Sequence, residues 1–393
     1  MSQASLHSSI VPGDWLGILG GGQLGRMFCH AAQSLGYKVA VLDPDEHSPA
    51  GAVADLHIQA GYQDEVALAR LSERCKAVTT EFENVPALSL KVLANSVRVS
   101  PSGAAVAIVQ DRIQEKAFIK AAGVPVAPYA VVRGHEDIAT APDTLFPGIL
   151  KVARLGYDGK GQARVSSRAE AVAAFDGFQQ AECVLEAMLP LASELSVVLA
   201  RGHDGKVALF PPAQNEHRDG ILAVSTVDVS LLDAAQAGQA ADAAVSIAQA
   251  LEYVGVLCVE FFVLRDGSLV ANEIAPRPHN SGHFTMNASA SSQFEQQARA
   301  MAGLPLGNTD SLCPVVMLNL LGDLWFDSSS GAEREPDWAG VLAVPGAKLH
   351  LYGKAQARRG RKMGHVNVLG ATLVEARLRA QRVAQVLGIE FRS

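Results

Sequence analysis

The chain has too few basic residues to favour polyanions: 33 Lys and Arg against 40 Asp and Glu leave a formal net charge of −7. Without a protein-wide positive field, general binding to nucleic acid or anionic membranes is excluded, and any phosphate ligand must be held by local cations. Cysteine is also sparse. Cys29, Cys75, Cys183, Cys258 and Cys313 form no C-x-x-C pair, and the closest two, Cys29 and Cys75, lie 46 positions apart, which fits free thiols in a reducing cytoplasm. No apolar run reaches the roughly 18 residues that would span a bilayer. Residues 1–14 carry no Lys or Arg and no apolar core, so they read as a flexible tail and not as a signal peptide or anchor. There is no internal repeat and no low-complexity segment. What remains is an ordinary globular composition, 49% hydrophobic and 19% charged over 393 residues, too long for one small core.

Within it, Val259 to Glu273 consists of two apolar runs joined by Asp266-Gly267, a dipeptide that predicts a two-residue hairpin turn. That register sets Arg265 against Ser268, Phe262 against Ala271 and Glu260 directly opposite Glu273. Like charges at such a cross-strand site are destabilising unless something positive lies between them. A divalent cation answers this. Two carboxylates with oxygen-only chemistry suit magnesium, with manganese as the alternative, and the remaining ligands come from water and substrate phosphates. The bland reading is an exposed hairpin with solvated glutamates.

The amino-terminal segment has a βαβ pattern: a strand at Trp15–Gly20, a helix from about Leu24 to Leu35 ended by Gly36, and a strand at Lys38–Asp43. This implies a parallel sheet. A helix over Glu65–Cys75, a strand at Ala77–Thr80 and a helix near Pro86–Ala94 continue the alternation. Ser100-Pro101-Ser102-Gly103 and Gly303-Leu304-Pro305-Leu306-Gly307 are the plausible boundaries. Between them the pattern predicts a helix around Ala105–Ala121, short strands with glycine-rich turns up to Pro190, and a helix over Ala234–Leu251. The tail reads as short strands with one final helix near Leu373–Leu387.

Three further segments could carry chemistry. Gly20-Gly21-Gly22-Gln23-Leu24-Gly25 satisfies G-x-G-x-x-G between strand and helix, with Asp43 ending the next strand, so a nicotinamide or flavin enzyme stays open; a phosphate monoester would suit the same loop. Lys151 on a strand, followed by Gly156-Tyr157-Asp158-Gly159-Lys160-Gly161, suits a flap over phosphates without being a P-loop, or else a plain surface hairpin. Directly after Glu273, Arg277-Pro278-His279-Asn280-Ser281-Gly282-His283 could bind a small planar anion, because arginine's fork matches an oxyanion at two points.

Together these motifs resemble the ATP-grasp superfamily. Gly21 to Met27, Leu42-Asp43-Pro44, Glu81-Phe82-Glu83-Asn84-Val85 and Gly360-Arg361-Lys362-Met363-Gly364-His365 are similar, more narrowly, to the 5-(carboxyamino)imidazole ribonucleotide synthetases of purine biosynthesis, over about residues 15–370. The resemblance implies an α/β and α+β chain with the ATP-grasp fold: a tail (1–14), an open parallel α/β domain (15–104), a lid subdomain with its connecting helix (105–190), a subdomain with the metal site (191–310) and a small β-rich carboxy-terminal domain (311–393). It implies a carbon–nitrogen ligase in which bicarbonate attacks the γ-phosphate of ATP and aminoimidazole ribonucleotide captures the carboxyl unit from carboxyphosphate.

By motif position, Arg112, Lys151, Gly156, Tyr157, Asp158, Gly159, Lys160, Gly161, Gln162, Glu186, Ala187, Met188, Leu189, Glu194, His217, Asn272 and Glu273 would line the ATP site, with Glu260 and Glu273 on magnesium. Arg277, His279, Asn280 and Ser281 would hold bicarbonate. Gln23, Glu81, Tyr157, Asp158, Lys354 and Arg361 would meet the ribonucleotide. A cytoplasmic homodimer that hands its product to a mutase is also implied. The sequence departs from the family at Leu155, where a further glycine is usual. Three other readings stay open: a formate-using transformylase of the same superfamily, a nicotinamide-dependent oxidoreductase, and a non-catalytic nucleotide sensor.

Overall fold

The computed structural model describes residues 9–156, 161–327 and 329–391. Tyr157, Asp158, Gly159 and Lys160, singled out above, lie outside the described residues. Three sheets organise the described residues.

The first is a five-stranded parallel sheet in the order Leu56–Ile58, Lys38–Leu42, Trp15–Leu19, Ala77–Thr80, Arg98–Val99. Its central strands, Trp15–Leu19, Lys38–Leu42 and Ala77–Thr80, are almost entirely buried, as parallel strands covered on both faces require. One face is covered by the helix Gln23–Ser34, which also packs against the helix Gln293–Ala302. Gln297 fastens the second helix to strands of two sheets, donating to Thr79 Oγ1 (3.0 Å) and accepting from the Val256 amide (2.6 Å). The expected flexible tail is corrected for residues 9–14. Ile10 is buried, its amide donates to the Ala302 carbonyl, and its carbonyl accepts from the Tyr37 hydroxyl; an apolar side chain beside the helix pair outweighs the polar composition around it.

The predicted helix over Ala105–Ala121 is two helices, Gly103–Val109 and Arg112–Ala121. Asp111 causes the break: its carboxylate accepts from the amides of Ile113 and Gln114 and so caps the second helix. The second sheet is antiparallel, in the order Tyr129–Val132, Cys183–Ala187, Gly148–Val152, Gln162–Val165.

The third sheet runs Leu269–Ala275, Gly255–Leu264, Leu191–Arg201, Ala213–Arg218, Ile221–Val227, Val315–Leu321, Lys362–Leu369, Ala347–Leu351, with Val207–Leu209 also pairing to Leu191–Arg201. The carboxy-terminal strands therefore extend the sheet that carries Glu260 and do not form a sheet of their own. The final helix, Leu373–Leu387, covers their outer face. Along Leu191–Arg201 the faces alternate: Leu195, Val197 and Leu199 pack under the helix Ala234–Ala250, while Glu194 and Ser196 face the other way.

Candidate active site

Glu260 pairs with Glu273 across the hairpin, but by a route the sequence did not reveal. The loop has three residues, Arg265 to Gly267: the Leu264 amide donates to the Ser268 carbonyl (2.8 Å) and the Gly267 amide to the Leu264 carbonyl (2.9 Å), with Gly267 at φ +84°. A two-residue turn would require positive φ at Asp266 as well. Here only glycine takes that region, and the Asp266 carboxylate accepts from the Ser268 amide and hydroxyl. Phe261, not Phe262, consequently faces Ala271. Asn272 is then an extra residue on its strand, a bulge that restores the glutamate pairing. Its Oδ1 is buried without a partner among the described residues, as fits a bulge that re-aims a side chain.

The pair is surrounded by charge. Burial, and then Glu273, push the Glu260 carboxyl up to about 7. Arg112 reaches Glu273 Oε2 at 3.2 Å from the start of its helix. Glu115, one turn further on, accepts from the Ile274 amide (2.7 Å), and burial lifts it to about 8 against the pull of Arg112. His217 Nδ1 lies 2.5 Å from Glu194 Oε2; burial opposes its protonation, but Glu194 and Glu260 outweigh it and raise the ring above its usual value.

Beyond the hairpin, Gln293 clamps the peptide of His279, accepting from its amide (2.8 Å) and donating to its carbonyl (2.7 Å). His279 Nε2 faces Glu260 Oε1 at 3.4 Å and Nδ1 lies 2.8 Å from Ser281 Oγ. Burial, reinforced by Arg277 and Lys362, holds the ring well below its usual value, hence neutral. Both amide atoms of buried Asn280 lack a partner among the described residues, a feature that calls for a ligand or water. Arg277 donates from Nε to Glu83 Oε2 (2.5 Å) and from Nη1 to the Pro278 carbonyl (3.1 Å). Burial opposes ionisation of Glu83, yet Arg277 holds it below the usual carboxylate range.

At the lid, Lys151 and Lys116 grip the two oxygens of buried Glu186 at 3.1 and 3.2 Å. Burial works against that carboxylate, but the two ammonium groups keep it ionised. The amides of Ala187 and Met188 donate to the carbonyls of Pro128 and Pro147, tying the segment that leads to Leu189 to the neighbouring strands. Gly161 has φ +70° and its carbonyl accepts from the Val152 amide (2.8 Å), while Gln162 begins the next strand. Leu155 occupies the left-handed region at φ +61°, a conformation glycine adopts without steric cost.

The glycine loop at residues 20–25 is not open to a pyrophosphate. Glu81 accepts from the amides of Gly22 and Gly25, the latter at 2.7 Å, and Asp43 accepts from Gly21 (2.7 Å) and Tyr62 (2.6 Å). These are the donors and the acid a dinucleotide would use, and here they hold each other. A Cβ at Gly22 would fall 2.3 Å from Glu81 Oε1, so the glycines make room for the protein's own carboxylate. Gln23 opens the helix beside them, half-buried.

The expected residues do not all converge. Arg112, Glu194, His217, Glu260, Asn272, Glu273, Arg277, His279, Asn280 and Ser281 cluster around the hairpin. Lys354 and Arg361 bond the tail's own carbonyls, those of Lys362 (2.6 Å) and Gln356 (2.8 Å). It is Lys362, passed over in sequence, whose charge reaches Glu83, Glu260 and His279. Lys116, Glu115, Glu83 and Gln293 were also missed. Glu115 and Lys116 offered a signal, one helical turn after Arg112.

Family comparisons agree with this geometry. Residues 14–110 match the ribonucleotide synthetase preATP-grasp domain, residues 117–294 the ATP-grasp domain and residues 315–379 the phosphoribosylaminoimidazole carboxylase C-terminal domain. An N5-carboxyaminoimidazole ribonucleotide synthase of Brucella melitensis is 48% identical over 91% of this chain and 97% of the relative. An N5-carboxyaminoimidazole ribonucleotide synthetase solved with ADP superposes with a TM-score of 0.88 at 41% identity, covering 97% of this chain and 98% of that one. The Aspergillus clavatus enzyme, solved with ADP and 5-aminoimidazole ribonucleotide, gives 0.86 at 30% identity, covering 97% and 99%.

Fold and site together define an ATP-grasp ligase. Within that class, the chain belongs to the N5-carboxyaminoimidazole ribonucleotide synthase family. Its cofold with the parallel amino-terminal sheet is the expected architecture, and the occupied glycine loop removes the nicotinamide reading.

Proposed function

We propose that this chain carboxylates 5-aminoimidazole ribonucleotide at the expense of ATP, with bicarbonate as the carboxyl source and carboxyphosphate as the intermediate, in purine biosynthesis. The observation that carries this reading is the meeting of the Glu260 and Glu273 pair with the Arg277 to Ser281 loop, joined by Glu83 from the turn after the strand Ala77–Thr80 and Lys362 from the tail.

Magnesium fits the residues present. Among the described residues no three His, Cys, Asp or Glu side chains gather into a metal site, but two facing carboxylates and the unpartnered Asn272 oxygen match an ion that takes its other ligands from water and phosphates. Glu260 and Glu273 would hold it, and it would offset charge on the transferring phosphoryl group. Lys151, held by Glu186, presents an ammonium to the nucleotide phosphates. Arg277 is fixed by Glu83 at the edge of the anion loop, and Asn280 offers an amide donor and acceptor for bicarbonate. Carboxyphosphate would hydrolyse in contact with water, so turnover requires that the site exclude it. No described helix is long and apolar enough to cross a membrane and the five thiols are free, which supports a cytoplasmic enzyme. A homodimer that passes its product to a mutase completes the proposal.

Bicarbonate labelled with ¹⁸O tests it. One bicarbonate oxygen bonds to the γ-phosphorus and stays there when the amine takes the carboxyl carbon, so the released phosphate should carry one ¹⁸O. Unlabelled phosphate would mean that water attacks ATP and the intermediate does not form.

A further inference from the structure

The strand Leu269–Ala275 lies at one end of the large sheet, so its outward amides need acceptors from other elements. In a regular edge strand such amides recur at every second residue. Here they fall at Ala271 and Ile274, three apart, because Asn272 is the extra residue of the bulge. The side chains of Ala271 and Ile274 accordingly share one apolar core. Without the bulge, Glu273 would stand two residues after Ala271 and face that same core, away from Glu260. The bulge is what turns it into the site.

Both outward amides are met by one stretch of chain. Ala271 donates to the carbonyl of Pro125, just beyond the helix Arg112–Ala121 (2.8 Å), and Ile274 donates to Oε1 of Glu115 in the first turn of that helix (2.7 Å). The second bond depends on the bulge, since only the extra residue points the Ile274 amide outward and not at the strand Gly255–Leu264. Glu115 and Ile274 are buried, so the amide has no ready replacement for the carboxyl. Arg112 also reaches Glu273, but it grips a side chain that is 39% exposed, where an ion pair contributes little. The backbone after the bulge is held by Glu115.

We propose that Glu115 is a positioning residue for the carboxylate pair: by accepting from the Ile274 amide it keeps the Asn272 bulge in place and Glu273 opposite Glu260. A plainer role for an acid in the first turn is to favour the helix dipole. The two roles ask different things of residue 115, reach in the first and charge in the second. The consequence for metal binding rests on the magnesium role proposed above; the hold on the bulge does not.

The test uses the full chain labelled with [¹⁵N]isoleucine, with the Ile274 amide assigned from its loss in Ile274→Val. Hydrogen exchange at that amide is followed without metal, beside the affinity of the ADP complex for Mn²⁺ read from the free-ion EPR signal. Glu115→Gln drops the charge and keeps the acceptor at the same reach, so both readings should stay near wild type. Glu115→Asp keeps the charge but is one methylene short. Its Ile274 amide should exchange faster, and its Mn²⁺ affinity should fall by about 10- to 100-fold, the range for losing an outer residue that orients a metal ligand. Glu115→Met has the length without a comparable acceptor; it should repeat the Glu115→Asp result, and it replaces that variant should Glu115→Asp fail to fold. Equal behaviour of Glu115→Gln and Glu115→Asp, a rapidly exchanging Ile274 amide in the wild type, or faster exchange with undiminished Mn²⁺ affinity overturns the proposal. Should Glu260→Gln bind Mn²⁺ as tightly as wild type, the metal reading fails, and the exchange rates alone decide the role of Glu115.

Discussion

Glu260 and Glu273 face each other through two compensating one-residue shifts: a three-residue turn at Arg265 to Gly267 slips the register, and the bulge at Asn272 slips it back. The pairing is therefore built, not incidental to a regular ladder, and it holds a buried carboxyl whose usual range is displaced upward to about 7.

Glu260→Gln or Glu273→Gln should abolish most turnover without loss of the fold, since removing one of two like charges relieves repulsion. Because the folded-state value of Glu260 lies above the ordinary 4.5, its contribution to stability is present below pH 4.5 and is lost as pH rises through about 7. Glu260→Gln removes that dependence. Its melting temperature relative to wild type, both without metal, should climb from pH 5 to pH 8. A flat difference would contradict the burial of Glu260, and near-normal magnesium-dependent ATPase would contradict its role.

Arg277→Lys keeps the charge and loses the planar fork that meets Glu83 through Nε. Bicarbonate-dependent turnover should fall much further than ADP affinity. An unchanged dependence on bicarbonate concentration would remove Arg277 from the anion site.

The lid lysines predict an asymmetry. Glu186→Gln leaves two buried ammonium groups without a counter-ion and should cost roughly 3 to 5 kcal/mol, the range for breaking a buried pair. Lys116→Met leaves Lys151 and Glu186 paired, and should cost clearly less. Equal losses in denaturant midpoints would mean that the two bonds to Glu186 are not both made in solution.

How far the sequence disclosed this site depends on the kind of feature. Adjacent carriers were legible: Glu273 and Arg277 to His283 share one segment, and the Asp-Gly turn pointed to Glu260 even though the turn type was wrong. Partners supplied by tertiary packing were not. Glu83, Lys362 and Gln293 reach the loop from three different elements, and nothing in their local sequence says that they converge. The glycine loop shows the opposite failure, since its spacing matched a dinucleotide fingerprint while Glu81, 56 residues beyond Gly25, occupies its amides. In the tail, charge density drew attention to Lys354 and Arg361, yet it is Lys362, at the start of the strand Lys362–Leu369, whose charge acts on Glu260.

Lys354→Ala and Arg361→Ala should each raise the apparent KM for the ribonucleotide by roughly tens of fold, as expected for charge-assisted bonds of about 1.5 to 3 kcal/mol, with ADP binding nearly unchanged. Lys362→Ala should instead depress turnover and bicarbonate use, because its charge acts on Glu260 and His279. Equal losses for both ligands in the first two variants, or none, would mean the tail does not hold the ribonucleotide.

The most direct test of the account is phosphate release from ATP and magnesium in the four combinations of bicarbonate and 5-aminoimidazole ribonucleotide. Rapid release that needs both, accompanied by the carboxylated ribonucleotide, is the predicted result. Release supported by formate in place of bicarbonate, or release indifferent to the ribonucleotide, would contradict it.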